Sequence, residues 1–397
     1  MYGNFKGYFF HENLSGVLAY NFKWNKACIV DKDIYNYLKE NQCGKLLSIL
    51  SEDMLNMLIN NGILIDDYQN YKNKKYIIPT HTESSLNTVY LHVTQRCNLH
   101  CSYCYDAKNL GQKDELSFTE IQRLAEQLKR ENLQHVVLTR GEPLLRKDIF
   151  DIGMLFKSLG FKVGILSNGS LIKQNLNLLN EIDYAIISLD TLDRLDNVRN
   201  GLDIELLVDD LKSLPLKIRK KIALRSVIGK NNLTSWREVK ELASDLDIPF
   251  TSSIRLPNSL KEVKDMPELG WKQIKAKRSV LYGERCGACD SIIAVNANGD
   301  VYPCQALIDK DMLITNIKKH NWMQEFYNSN ITKKFLNWNI DKTDACKDCE
   351  LKYLCGGGCR AISYNLFGDT YAYNEYMCPY LKADVYQRID GVIEQYS

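Results

Sequence analysis

Apolar positions in the first part of the chain come in short runs, then recur at helical spacing. Runs at Gly7–His11 and Gly16–Asn21, with a third near Cys28–Asp31, predict short strands. Ile34–Glu40, Lys45–Leu50 and Ser51–Asn61 carry apolar residues every three or four positions and predict helices. Ser51 is placed to cap the last of these, and Gly62 to stop it before a short strand at Ile63–Ile65. This order is a winged-helix pattern over residues 1–78. The polar, strand-poor passage Asp66–Asn87, with Pro79 and Ser84-Ser85, ends in a linker at 79–87.

From Val89 strand and helix alternate. Strands are predicted at Val89–Thr94, His135–Thr139, Lys162–Leu166, Tyr184–Leu189, Ile222–Ile228 and Phe250–Leu256. The helices between them are Phe118–Arg130, Lys147–Leu159, Leu171–Leu179, Ile204–Leu214 and Ser235–Leu246. About six such units over 88–275 imply an α/β fold whose parallel sheet curls, through right-handed crossovers, into a partial (β/α)6 TIM-like barrel. Functional groups then belong on loops at the C-terminal strand ends. Three loops there carry candidates: Cys97–Cys104, Gly141–Pro143 and Ser167–Gly169. After Lys275 the chain turns rich in Cys, Gly and Tyr with short elements, which marks 276–397 as a metal-stapled module.

Charge changes this picture little. With 51 basic and 49 acidic residues, the total gives no reason to expect a nucleic-acid partner, and Ser51–Asn61 offers phosphate two acids and no base. No apolar run reaches the roughly 18 residues of a membrane span. Met1–Leu14 lacks the layout of a secretory signal, so the expectation is a cytoplasmic protein without a membrane partner. The 13 cysteines change more: they are absent between Cys104 and Cys286 and bunched on either side. With only six histidines, sulfur must supply the ligands of any metal, which favours iron–sulfur clusters or zinc. Cys28 and Cys43 read instead as buried apolar residues.

Cys97, Cys101 and Cys104 place three thiolates within eight residues. That suffices for three irons of a cubane and leaves the fourth open to the amine and carboxylate of S-adenosylmethionine. A zinc site is the alternative. The C-x3-C-x2-C spacing after a first strand, with the aromatic Tyr103 before the last cysteine, resembles the signature of the radical SAM superfamily. Arg140-Gly141-Glu142-Pro143 resembles that family's Gly-Gly-Glu-Pro segment, which binds the methionyl amine, with Arg140 in place of the first glycine. The resemblance further implies Ser167 and Asn168 near the ribose, Ser188 and Asp190 lining the cofactor site beside Tyr103, and Arg199 reaching the carboxylate.

Cys286, then Gly299 and Cys304, then Cys346, Cys349, Cys355, Cys359 and Cys378 follow in an order that resembles the SPASM domain. That likeness implies two auxiliary [4Fe–4S] clusters, one on Cys286, Cys304 and Cys359, the other on Cys346, Cys349, Cys355 and Cys378. Cys289 stands where some members supply the first auxiliary cluster's fourth thiolate; structural zinc knots are the alternative. Gly356-Gly357-Gly358 leaves room for backbone to wrap between clusters. The N-terminal pattern resembles the recognition element of maturases of ribosomally made peptides. A leader would add a strand beside Ala27–Asp31, with its apolar side chains against Met54, Leu55, Met57 and Leu58. Together the resemblances imply a radical SAM peptide maturase that forms a thioether or a carbon–carbon cross-link, fed by an external electron donor such as flavodoxin or ferredoxin. Two rivals are an anaerobic sulfatase maturase, which carries aspartate where Gln305 stands here, and a non-catalytic iron–sulfur protein that binds a peptide.

Overall fold

The computed structural model describes residues 2–3, 8–13, 15–21, 26–40, 50–61, 63–65, 85–111, 115–268 and 286–396. The predicted helix at Lys45–Leu50 (all but its last residue), Cys43, Gly62, most of the expected linker and the boundary near residue 275 lie outside these. The chain divides into two compact units, one of Met1–Thr80, Leu269–Cys286 and Asn339–Ser397, the other of His81–Glu268 and Gly287–Trp338.

In the first unit, strands β1 (Tyr2–Gly3), β2 (Tyr8–Glu12), β3 (Val17–Asn21) and β4 (Lys26–Val30) precede helices α1 (Lys32–Lys39) and α2 (Glu52–Asn60) and strand β5 (Leu64–Ile65). β2, β3 and β4 form an antiparallel sheet in that order, and β1 pairs with β5. Ser51 caps α2 through its hydroxyl, which accepts from the Met54 amide at 3.3 Å. One face of the sheet buries Val17, Ala19 and Val30 against Ile34 and Leu38 of α1 and Leu58 of α2. Its other face buries Phe9, Leu18 and Tyr20 against Val385, Ile389 and Ile393 of the C-terminal helix Cys378–Tyr396. His11 fastens that contact, bonding Asp390 at 2.8 Å.

The second unit is built on a mostly parallel sheet. Strands β6 (Thr88–His92), β8 (His135–Thr139), β9 (Lys162–Ser167), β10 (Tyr184–Ser188), β12 (Ile222–Ile228) and β13 (Phe250–Ile254) run parallel as neighbours, with helices between them in the chain. Local signals set the helices: Ser117 and Glu120 form a reciprocal capping box at the start of α3 (Phe118–Arg130). The helix predicted at Leu171–Leu179 begins later, after a 3-10 turn at Lys173–Asn175, and runs from Leu176 to Glu181. Apolar burial holds the layers together, for instance where Trp236 stacks on Phe250 at 6.1 Å. Two features go beyond the sequence reading. A short antiparallel pair joins β7 (His100–Cys101) to β11 (Arg199–Asn200). On the far side of β6, β14 (Ile292–Val295) pairs in parallel and is followed by antiparallel β15 (Asp300–Tyr302) and β16 (Thr315–Asn316).

Candidate active site

The loop after β6 carries Cys97, Cys101 and Cys104, all free and half-buried. Burial raises the pKa of each thiol; Cys97 and Cys101 also feel the charge of Cys104, while Cys104 feels that of Asp106, opposed by Arg140 and Arg199. β7 holds the loop in register, Cys101 opposite Arg199 and His100 opposite Asn200, while the Ser102 amide donates to the Val198 carbonyl at 2.9 Å. A second tether runs to the loop after β9. There Asn168 Nδ2 donates to Asn98 Oδ1, and Asn98 Nδ2 to Ser170 Oγ, each at 2.9 Å.

Asp190, just beyond β10, organises the next layer. It is buried, and its carboxylate accepts from Arg199 Nε at 2.9 Å, from the Val227 amide at 2.8 Å and from the Tyr103 hydroxyl. The Arg199 and Arg255 guanidinium groups lie 5.4 and 5.8 Å from the Tyr103 ring centre. Burial, with the Asp190 charge beside it, holds the Tyr103 phenol well above its usual pKa, and Arg199 opposes them. Burial would lower the Arg199 pKa, but Asp190, Tyr103 and Cys101 outweigh it and raise it, so the guanidinium stays charged. Ser188, at the end of β10, is half-buried opposite Arg225 of β12.

Glu142 follows β8 and is fully buried, next to the buried Pro143. Its oxygens accept from the Ser167 hydroxyl at 2.8 Å, the Asn168 amide at 2.7 Å and the Leu144 amide at 3.0 Å, joining the ends of β8 and β9. Burial pushes its pKa up to about 7 against the pull of these bonds. Gly141 sits at φ +49°, where an added Cβ would stand 2.2 Å from the Arg96 carbonyl oxygen, so backbone presses on backbone immediately before Cys97. Arg140 is also left-handed, at φ +81°, and its side chain is buried in an ion pair with Asp106. Arg96, Asn98, Asp106 and Arg255 are participants that the sequence reading did not single out. No motif marks them; only Asp106 carries a hint, two residues after the last cysteine of the loop.

Residues 91–254 match the radical SAM superfamily, and residues 286–350 match SPASM, an iron–sulfur cluster-binding domain. The chain carries a radical SAM domain and a SPASM domain. Radical SAM chemistry requires a [4Fe–4S] cluster and S-adenosylmethionine, and a SPASM domain binds auxiliary clusters. Among relatives, molybdenum cofactor biosynthesis protein 1 of Dictyostelium discoideum is 34% identical over 164 residues, 36% of this chain and 26% of that one. The chain thus spans about a quarter of that relative's length. Streptococcus suis SuiB bound to its precursor peptide SuiA is similar in structure, with a TM-score of 0.62 and 16% identity over 93% of this chain and 98% of that one. Native anSMEcpe with bound AdoMet gives a TM-score of 0.59 and 18% identity over 78% of this chain and 98% of that one. At these identities the structural likeness is one of fold.

The residues of this chain fit such a cofactor set chemically. Three free thiols on one tethered loop supply one ligand to each of three irons, and a buried carboxyl, a buried carboxylate and close-approaching glycine backbone stand on the neighbouring strand ends. In the second unit Cys289 is buried at φ +59°, and its amide donates to the Ile292 carbonyl at 3.0 Å and to Pro303, the residue before Cys304, at 3.1 Å. In the first unit, Gly356, Gly357 and Gly358 all lie at positive φ and turn the chain from Cys355 to Cys359. The buried Arg360 clamps this turn, donating to the carbonyls of Gly357, Gly358 and Thr370, and its charge is felt alongside Cys286, Cys346, Cys355 and Cys359. Cys346 and Cys378 lie near enough to Cys355 to raise its pKa, which burial chiefly drives up to about 11. Cys28 packs half-buried beside the α1/α2 core, and burial pushes its thiol up to about 12.

Proposed function

We propose that this protein is a peptide maturase: it holds a ribosomally made precursor through its leader and forms a thioether or carbon–carbon cross-link in the core. The observation that carries the reading is the pairing of Cys101 with Arg199, which ties the three-thiol loop to the buried Tyr103–Asp190–Arg199 group. When bound there, a [4Fe–4S] cluster with one open iron supplies the electron that splits S-adenosylmethionine into methionine and a 5′-deoxyadenosyl radical.

In this reading Cys97, Cys101 and Cys104 hold the cluster, and the N-terminal region is a winged-helix recognition element. Gly141 and Glu142 receive the methionyl ammonium, an ion that favours the charged form of a carboxyl whose pKa burial has raised. Ser167 and Asn168 meet the ribose. Asp190 holds the Arg199 guanidinium in place for the cofactor carboxylate, and Ser188 lines the same cleft. The leader would extend the N-terminal sheet at β4, an edge strand, beside the exposed Met54 and half-buried Leu55 and Met57 of α2; Leu58, expected with them, is wholly buried in the core and offers it no surface. Support for a peptide comes from the fold shared with SuiB, solved with its own precursor peptide. Gln305 weighs against the sulfatase-maturase alternative, since a primary amide cannot serve as the proton acceptor.

The test is anaerobic. Reconstituted protein given dithionite and S-adenosylmethionine should release 5′-deoxyadenosine, and Cys97→Ala should abolish it. A variant that still turns over at the wild-type rate would sink the assignment.

A further inference from the structure

Arg140 stands where its conformation favours glycine. At φ +81° an L side chain is strained, and the next residue, Gly141, is left-handed as well. An arginine there must be offset by what its side chain does. The guanidinium and the Asp106 carboxylate are each only 3% exposed and form an ion pair. Nη1 donates to the Gln305 carbonyl at 3.0 Å, and the guanidinium carbon lies 4.6 Å from the centre of the Tyr105 ring. Tyr105 and Asp106 directly follow Cys104, and Gln305 directly follows Cys304. One buried cation thus spans the three-thiol loop, the end of β8 and the loop after β15.

We propose that Arg140 is a positioning residue that locks the loop of Cys97, Cys101 and Cys104 to the loop of Cys304, so that ligand loops of two different iron–sulfur sites share one guanidinium. This rests on the iron–sulfur reading of those loops. Arginine suits the task because its planar fork serves a carboxylate and a carbonyl at once while its face stacks on a ring; lysine keeps the charge but loses the fork. Buried and paired on both sides, the group resists removal of either partner.

The experiment compares the full-length wild type with Arg140→Gly, Arg140→Lys and Asp106→Asn by hydrogen–deuterium exchange, and follows both cluster types by potentiometric EPR in the iron-loaded proteins. If backbone strain were all that mattered, Arg140→Gly would relax the site and leave exchange unchanged or slower. The clamp predicts the reverse: exchange in residues 102–109 and 302–308 rises together, by about tenfold, and Asp106→Asn reproduces it. Arg140→Lys should fall between wild type and Arg140→Gly, which guards against a variant that simply misfolds. The midpoint potentials of the first cluster and of the auxiliary cluster served by Cys304 should both shift in Arg140→Gly. Exchange that rises only around residues 139–143, or a shift confined to the first cluster, would overturn the clamp. A wild type that binds no iron at either loop would refute the iron–sulfur reading instead, while the exchange comparison would still decide the clamp.

Discussion

Glu142 shows how one side chain can tie local geometry to pH. Its folded pKa, about 7, lies above its ordinary value of 4.5 because burial penalises the charged form. The folded state therefore holds a proton that the unfolded chain releases as pH rises between these values. The corresponding stability is fully present below about pH 4.5 and is lost as pH climbs through about 7. Glu142→Gln cannot titrate, so its melting temperature relative to wild type should rise from pH 5 to pH 7.5; a flat difference across that range would remove the linkage. The three-thiol loop was legible at this scale because its cysteines are near neighbours in the chain and their spacing is the signal. The Arg140 clamp was not: its partners lie 34 and 165 residues away, and nothing local in an arginine says which carboxylate or carbonyl it will find.

At the scale of elements, the N-terminal sheet serves two cores. Val17 and Ala19 face α1 and α2, and Leu18 and Tyr20 face the C-terminal helix, so every residue from Val17 to Tyr20 is buried. The sequence carried that information as an unbroken apolar run where a half-solvated strand would alternate. What the run could not name was the covering helix, which comes from the other end of the chain. Cys349 and Cys355, assigned by resemblance to the second auxiliary cluster, pack against the same core as Leu18. Leu18→Ala should therefore cost about 2–5 kcal/mol in thermal or urea unfolding, and should also loosen iron in the C-terminal module. Iron content after desalting checks the second effect, and full retention in a destabilised variant would show the two to be independent.

Over the whole molecule, the chain passes between its two compact units four times. The β/α alternation that ends near Ile254 was legible, but the sheet continues past it: β14 flanks β6 and buries Ile293, Ala294 and Val295. Strands of two to four residues in a Cys- and Gly-rich stretch carry too little periodicity to be seen from sequence. A chain ending at Glu268 should therefore aggregate, because β6, with Val89 and Leu91 fully buried, would become an open edge. A monodisperse truncated chain on size-exclusion chromatography would contradict this. No helix among the described residues is long and apolar enough to cross a membrane. The double-sided burial of the N-terminal sheet also sets an order of events during synthesis. Phe9, Leu18 and Tyr20 leave the ribosome well before the helix that shields them, so the nascent protein must carry an unshielded apolar surface until that helix has emerged.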